Sequence, residues 1–76
     1  MVSACILVCC EPGQYKTVTK AIKGIKGVTK AFPTTGRWDV IAEADLGDLK
    51  DLSYVALKIN GMPGVRASET LVEVTM

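Results

Sequence analysis

One stretch near the start, Val2 to Cys10 (VSACILVCC), constrains the fold more than any other. In an extended strand Val2, Ala4, Ile6 and Val8 share one face and Cys5, Leu7 and Cys9 the other, so both faces are apolar. A strand of that kind reads as buried on both sides. A chain of 76 residues makes one domain, residues 1–76, and a domain this small buries only about 60–65% of the surface its unfolded form exposes. With no disulfide framework or metal to help, oligomerisation is the expected source of the missing burial.

The rest of the chain supplies the partners of that strand. Glu11-Pro12-Gly13 turns the backbone, and Tyr15, Val18, Ala21, Ile22 and Ile25 then recur at helical spacing opposite Lys16, Lys20 and Lys23, predicting an amphipathic helix that ends near Gly24 to Gly27. Val28 to Thr34 reads as a strand, with Pro33 either marking it as a sheet edge or ending it there. Thr35 to Arg37 forms a turn, and Trp38 to Asp45 returns as the second hairpin strand, with Val40, Ala42 and Ala44 on one face. Asp45 to Asp48 provides cap residues for a second helix whose inner face is Leu49, Leu52, Val55, Ala56 and Ile59 and whose outer face is Lys50, Asp51, Tyr54 and Lys58. Asn60-Gly61 stops it, and Arg66 to Val74 is the last strand.

The order strand, helix, strand, strand, helix, strand is that of the split βαβ, ferredoxin-like α+β class: a four-stranded antiparallel sheet with two helices on one face. IKGVTKAFPTT and MPGVRASETLV echo each other, each running from a helix end through Gly-Val and a basic residue into a strand, as a duplicated βαβ unit would. Two helices cover one face of such a sheet. The first strand is apolar on the uncovered face as well, so a dimer through the open sheet faces is expected.

Composition narrows the function. Nine basic residues against eight acidic ones give a net charge of +1, too little basic excess for a nucleic-acid binder; the lysines at 16, 20, 23, 26 and 30 solvate a helix and its exit. The longest unbroken apolar run, Ala4 to Cys10, is seven residues, against the roughly 20 that span a bilayer, and no signal peptide fits. Cys5, Cys9 and Cys10 crowd one strand, where bridges between them are geometrically poor, so they read as reduced thiols of a cytoplasmic protein. With no histidine and no CxxC, neither a metal nor a cofactor is expected. Tyr15 and Tyr54 read as packing or interface residues and Met62 as a core plug.

The stretch TTGRWDVIA, Thr34 to Ala42, carries the candidate site. Gly36 permits a turn with positive φ and leaves backbone N–H groups uncovered, which suits a carboxylate; Asp39 can accept from an α-ammonium. An amino-acid backbone needs both kinds of partner, and Arg37 or the hydroxyls of Ser68 and Thr70 can add a further contact. A plain hairpin turn, with Asp39 bonded to backbone and Trp38 packed over a sheet end, explains the same residues.

Thr35, Gly36 and Asp39 before an apolar strand, the Gly-Val that follows each helix, and the Ser/Thr spacing of Val65 to Thr70 resemble the effector-sensing RAM domain of the leucine-responsive (Lrp/AsnC) regulators over essentially the whole chain. The resemblance implies a dimer through the sheets, assembly of dimers into rings, and an amino-acid effector bound at Thr35, Gly36, Asp39, Ser68 and Thr70, with Arg37 at a variable position. Because Met1 opens directly into the first strand, the chain resembles stand-alone RAM proteins without a helix-turn-helix, which would act by mixing with full-length Lrp/AsnC regulators. Two other functions fit the fold class: an enzyme of the dimeric α+β barrel type, which would want a histidine or buried acid facing a cavity, and a ligand-free oligomeric adaptor.

Overall fold

The βαββαβ order holds in the computed structural model, which describes residues 1–75: β1 (Val2–Cys10), α1 (Tyr15–Lys23), β2 (Val28–Pro33), β3 (Val40–Leu46), α2 (Leu49–Asn60) and β4 (Val65–Val72). All four strands pair antiparallel in the order β2-β3-β1-β4, so the strand apolar on both faces takes a central position. Ala4, Ile6, Val8 and Cys10 are buried beneath the helices, while Cys5, Leu7 and Cys9 are half-buried on the uncovered face. Within one chain, then, β1 is covered on one side only.

Small residues let the helices sit close to the sheet. Ala31 on β2 and Val40, Ala42 and Ala44 on β3 face Val18 and Ile22 of α1 and Leu52, Val55 and Ile59 of α2 in one core with Ile6 and Val8. Each fully buried aliphatic side chain there stabilises the fold by about 1.5–3 kcal/mol. Asp48 caps α2, its Oδ1 accepting from the Asp51 N–H at 2.9 Å. α1 has no side-chain cap.

Several boundaries and inner-face assignments differ from the sequence reading. β2 stops at Pro33 and β3 starts at Val40, because the Thr34 N–H and hydroxyl bond the carbonyls of Asp39 (2.8 Å) and Trp38 (2.7 Å) and close those residues into the loop. β4 ends at Val72 rather than Val74. On α1, Tyr15 and Ala21 are exposed and Thr19 is buried in their stead, its hydroxyl bonding the Tyr15 carbonyl at 2.7 Å. On α2, Leu49 is 62% exposed.

The internal repeat is sharper in three dimensions than in sequence. Ile25 N–H donates to the Ile22 carbonyl and Met62 N–H to that of Ile59; Val28 N–H donates to Ile25 and Val65 N–H to Met62. In each exit a glycine follows with positive φ, Gly27 at 99° and Gly64 at 93°, and its carbonyl accepts from the end of the neighbouring strand, Asp45 N–H at 2.9 Å and Glu11 N–H at 2.8 Å. A Cβ at Gly27 would overlap the Leu46 side chain, and one at Gly64 would stand 3.1 Å from Val18 Cγ2 and 3.2 Å from Gln14 Cβ. Gly27→Ala is expected to lower unfolding free energy by more than about 2 kcal/mol, left-handed strain plus displacement of Leu46, whereas Gly13→Ala, with positive φ but open space around it, loses about 1 kcal/mol of strain alone. Urea denaturation of the two variants checks the difference.

Candidate functional site

The end of β1, the start of α1, the end of β2 and the start of β3 share one end of the sheet, and the candidate loop sits there. At its tip Thr35, Gly36 and Arg37 are exposed. Gly36 has φ +123 with nothing within 4 Å of where a Cβ would stand, so its backbone is open to approach from outside. Asp39, half-buried at the base, holds the loop to β1: its N–H donates to the Val8 carbonyl at 2.8 Å, and its Oδ2 accepts from the Cys10 N–H at 2.7 Å. Among the described residues no donor bonds Oδ1.

A concavity of about 600 Å³ lies over this carboxylate, lined by Tyr15, Pro33, Thr34, Thr35 and Asp39. It offers one anionic acceptor, two threonines and an aromatic wall, a set that can hold the cationic end of a small zwitterion, and Gly36 stands at the loop tip next to it rather than in its lining. Tyr15, Pro33 and Thr34 were not among the residues expected from sequence. The βαβ topology could have found Tyr15, because a helix that follows β1 must begin at the end where β1 stops.

Ser68 and Thr70 lie elsewhere in the chain. On β4, at the opposite edge from β2, Ser68 stands across from Val8 and Thr70 across from Ile6, on the helix-covered face. Val8 in turn faces Val40, so Ser68 is two strand spacings, roughly 10 Å, from the start of β3. Its hydroxyl lies 3.3 Å from Asn60 Oδ1 at the end of α2. A single chain thus brings Thr35, Gly36, Arg37 and Asp39 together and leaves Ser68 and Thr70 apart from them.

Cys10 is the titratable group most affected by the site: burial, then the Asp39 charge, then Cys9 push its thiol above the ordinary range. Cys5 and Cys9 are half-buried and all three thiols are free. Among the described residues no cluster of potential metal ligands occurs, and no helix is long and apolar enough to cross a membrane.

A family model described as the Lrp/AsnC ligand binding domain matches residues 3–74. Among solved structures, TTHA0845 from Thermus thermophilus is 26% identical with a TM-score of 0.94, the match covering 100% of this chain and 96% of that one. Hypothetical protein PHS023 from Pyrococcus horikoshii is 27% identical with a TM-score of 0.88, covering 100% of this chain and 93% of that one. The transcriptional regulator NMB0573 from Neisseria meningitidis, solved as a complex with L-Met, is similar in fold at 19% identity and a TM-score of 0.83; the match covers 97% of this chain and 50% of that one. No curated protein matches the chain.

Two expectations follow from the Asp39–Cys10 contact. Asp39→Ala leaves the Cys10 N–H without its acceptor and is expected to cost about 1.5–3 kcal/mol in thermal or urea unfolding, while Asp39→Asn keeps an oxygen there and costs less. The raised Cys10 thiol retains its proton at a pH where the unfolded thiol has lost it. Its stabilising contribution is therefore complete below the unfolded-state pKa and is lost as pH rises through the folded-state value. Mass-resolved alkylation at mildly alkaline pH is accordingly expected to modify Cys5 and Cys9 before Cys10.

Proposed function

The chain belongs to the Lrp/AsnC ligand-binding domain family, and on that premise we propose that it is a non-catalytic sensor that binds an amino acid at the β2–β3 hairpin. The observation that carries this reading is the half-buried Asp39 carboxylate, with Oδ1 unbonded, at the floor of a concavity beside a glycine-opened loop. In the proposed complex Asp39 accepts from the α-ammonium and the N–H groups around Gly36 hold the α-carboxylate, with Thr35 adding a hydroxyl and Arg37 a second cation at the rim. The side chain of the effector packs against Tyr15 and Pro33. Ser68 and Thr70 join the site only from a second subunit, across a contact between subunits.

The same reading has the chain dimerise through its open sheet faces and assemble further, and act on transcription by mixing with full-length Lrp/AsnC regulators in the cytoplasm. In support of the dimer, Cys5, Leu7, Cys9, Phe32 and Ile41 are half-buried on that face and Leu71 is 47% exposed, an apolar surface of the kind that marks an interface. NMB0573, similar in fold, binds L-Met, a precedent for an amino acid on this scaffold.

Calorimetric titration with each of the common amino acids is expected to give saturable heat for at least one. Asp39→Asn, which removes the charge and keeps an acceptor for Cys10, is expected to weaken that binding at least about tenfold, or 1.4 kcal/mol. If no amino acid at about millimolar concentration, ample for a binding energy of 4 kcal/mol or more, changes the heat or the melting temperature, the ligand is not an amino acid. A ligand-free adaptor that still oligomerises is then the surviving function.

A further inference from the structure

The two edges of the sheet are built differently. β2 carries Lys30 and ends in Pro33, and its pairing with β3 is irregular between Val28 and Lys30; lysine, proline and a bulge are the devices that keep an edge strand from pairing. β4 has none of them beyond Ala67. Its one irregularity, the register shift against Cys9 and Cys10, lies at Arg66, and from Ala67 the strand runs regularly on to Glu73, whose N–H donates to the Ser3 carbonyl at 2.8 Å. That bond fixes the alternation. Glu73 exchanges hydrogen bonds with β1, as do Leu71, Glu69 and Ala67, so the N–H and C=O groups of Ser68, Thr70 and Val72 point out of the sheet.

Exposed apolar side chains gather along this same flank. Asn60, which contacts Ser68, shares a helix stripe with Leu57 and Leu49; Leu57 is 71% and Leu49 62% exposed, and Leu71 and Val72 on β4 are 47% and 42% exposed. Towards α1 and β2 the exposed large apolar residues are two tyrosines, Tyr15 and Tyr54, and no leucine or valine is comparably exposed there among the described residues.

We infer that the β4 edge pairs with the β4 edge of a second copy, antiparallel about a two-fold axis through Thr70, to give one continuous sheet across two chains. The occupant follows from the sequence of the regular run. With Thr70 opposite its own copy, Ser68 stands opposite Val72, Glu69 opposite Leu71 and Ala67 opposite Glu73, so no carboxylate faces a carboxylate. The outward groups of Ser68, Thr70 and Val72 then meet as hydrogen-bonded pairs, forming about six ladder bonds, and a Thr–Thr pair sits on the axis. Shifting the axis to Glu69 sets that carboxylate against itself, and shifting it to Ser68 draws the irregularity at Arg66 into the ladder. The two α2 helices lie side by side over the joined sheet, where Leu57 and Leu49 lose their exposure. This interface is separate from the open sheet face and does not depend on ligand binding.

Sedimentation velocity and amide hydrogen exchange test it on the full chain at about 1 mM, where a dimer with a Kd of about 10 μM or below holds more than about nine-tenths of the chains. Leu7→Glu, which alters the open face alone, is expected to remain a dimer, and adding Thr70→Lys is expected to halve that mass to a monomer with an unchanged circular dichroism spectrum. Thr70→Pro in the Leu7→Glu chain serves as a second variant, because it removes only an outward N–H; it is expected to give the same monomer. The amides of Ser68, Thr70 and Val72 are expected to exchange at least about tenfold more slowly in the Leu7→Glu dimer than in either monomer. A monomer already in Leu7→Glu, or fast exchange of those three amides in its dimer, overturns the inference. Either result is distinguishable from failure of the amino-acid reading, which is judged by calorimetry on the unsubstituted chain.

Discussion

The structure depends on one strand that must be covered twice. β1 pairs with β3 on one side and β4 on the other and sends Ile6 and Val8, both fully buried, into the core that the described residues form. Everything on the helix side follows from covering that face: the alanines of β2 and β3 that let α1 descend, the paired glycine exits that turn each helix back into a strand, and the carbonyl of each exit glycine bonding the end of a strand in the other half of the molecule. Those two cross-bonds, Asp45 to Gly27 and Glu11 to Gly64, tie the halves of the repeat to each other. Neither half could bury its own sheet face alone. Among the described residues no helix covers the second face of β1, which is why a domain this small carries half-buried Leu7 and Cys5 on its surface.

The same strand organises the candidate site, through its end. Beyond the last β1–β3 pair, Val8 with Val40, the Cys10 N–H goes to Asp39. That bond does two things at once. It satisfies a backbone donor at the end of a central strand, and it holds a carboxylate at the base of the hairpin with one oxygen unbonded. The structural explanation of Asp39 and the functional one therefore do not compete. A carboxylate fixed by one oxygen is pre-organised to offer the other, whereas a freely rotating one would lose side-chain entropy on binding.

Fold was largely legible in the sequence because its signals are local and periodic. The two-faced apolar strand, the helical recurrence of Val18, Ile22 and Ile25, and the glycine stops each report on a few neighbouring residues. What failed was decided by geometry beyond the local pattern. Leu49 has the right spacing for the core and is exposed; Thr19 has the wrong chemistry for it and is buried because its hydroxyl bonds back to Tyr15. The hairpin boundary moved because Thr34 closes the loop with its own side chain. For the site, Asp39 and Gly36 were readable from the turn chemistry; Tyr15 needed the βαβ topology, which brings the start of α1 to the end where β1 stops, and Pro33 lines the concavity as the last residue of β2. Ser68 and Thr70 entered as hydroxyls able to add a contact and through the family resemblance, and the register shows why a single chain separates them from the loop.

That separation bears on how such a small domain can be regulated. The hairpin belongs to the blunted edge, where Pro33 and Lys30 discourage pairing, and Ser68 and Thr70 belong to the regular one. A binding site that needs both edges would be complete only in an assembly, so its occupancy and the assembly would be linked by mass action, each favouring the other. Yet the backbone groups of Ser68 and Thr70 point outward along β4 while their side chains lie on the helix face. Pairing of the edge would take the backbone and leave the hydroxyls. Strand pairing and effector contact thus make use of different atoms of the same two residues, and a change at either position alters the two in ways that a substitution confined to the side chain, such as Thr70→Val, separates from one that removes the N–H.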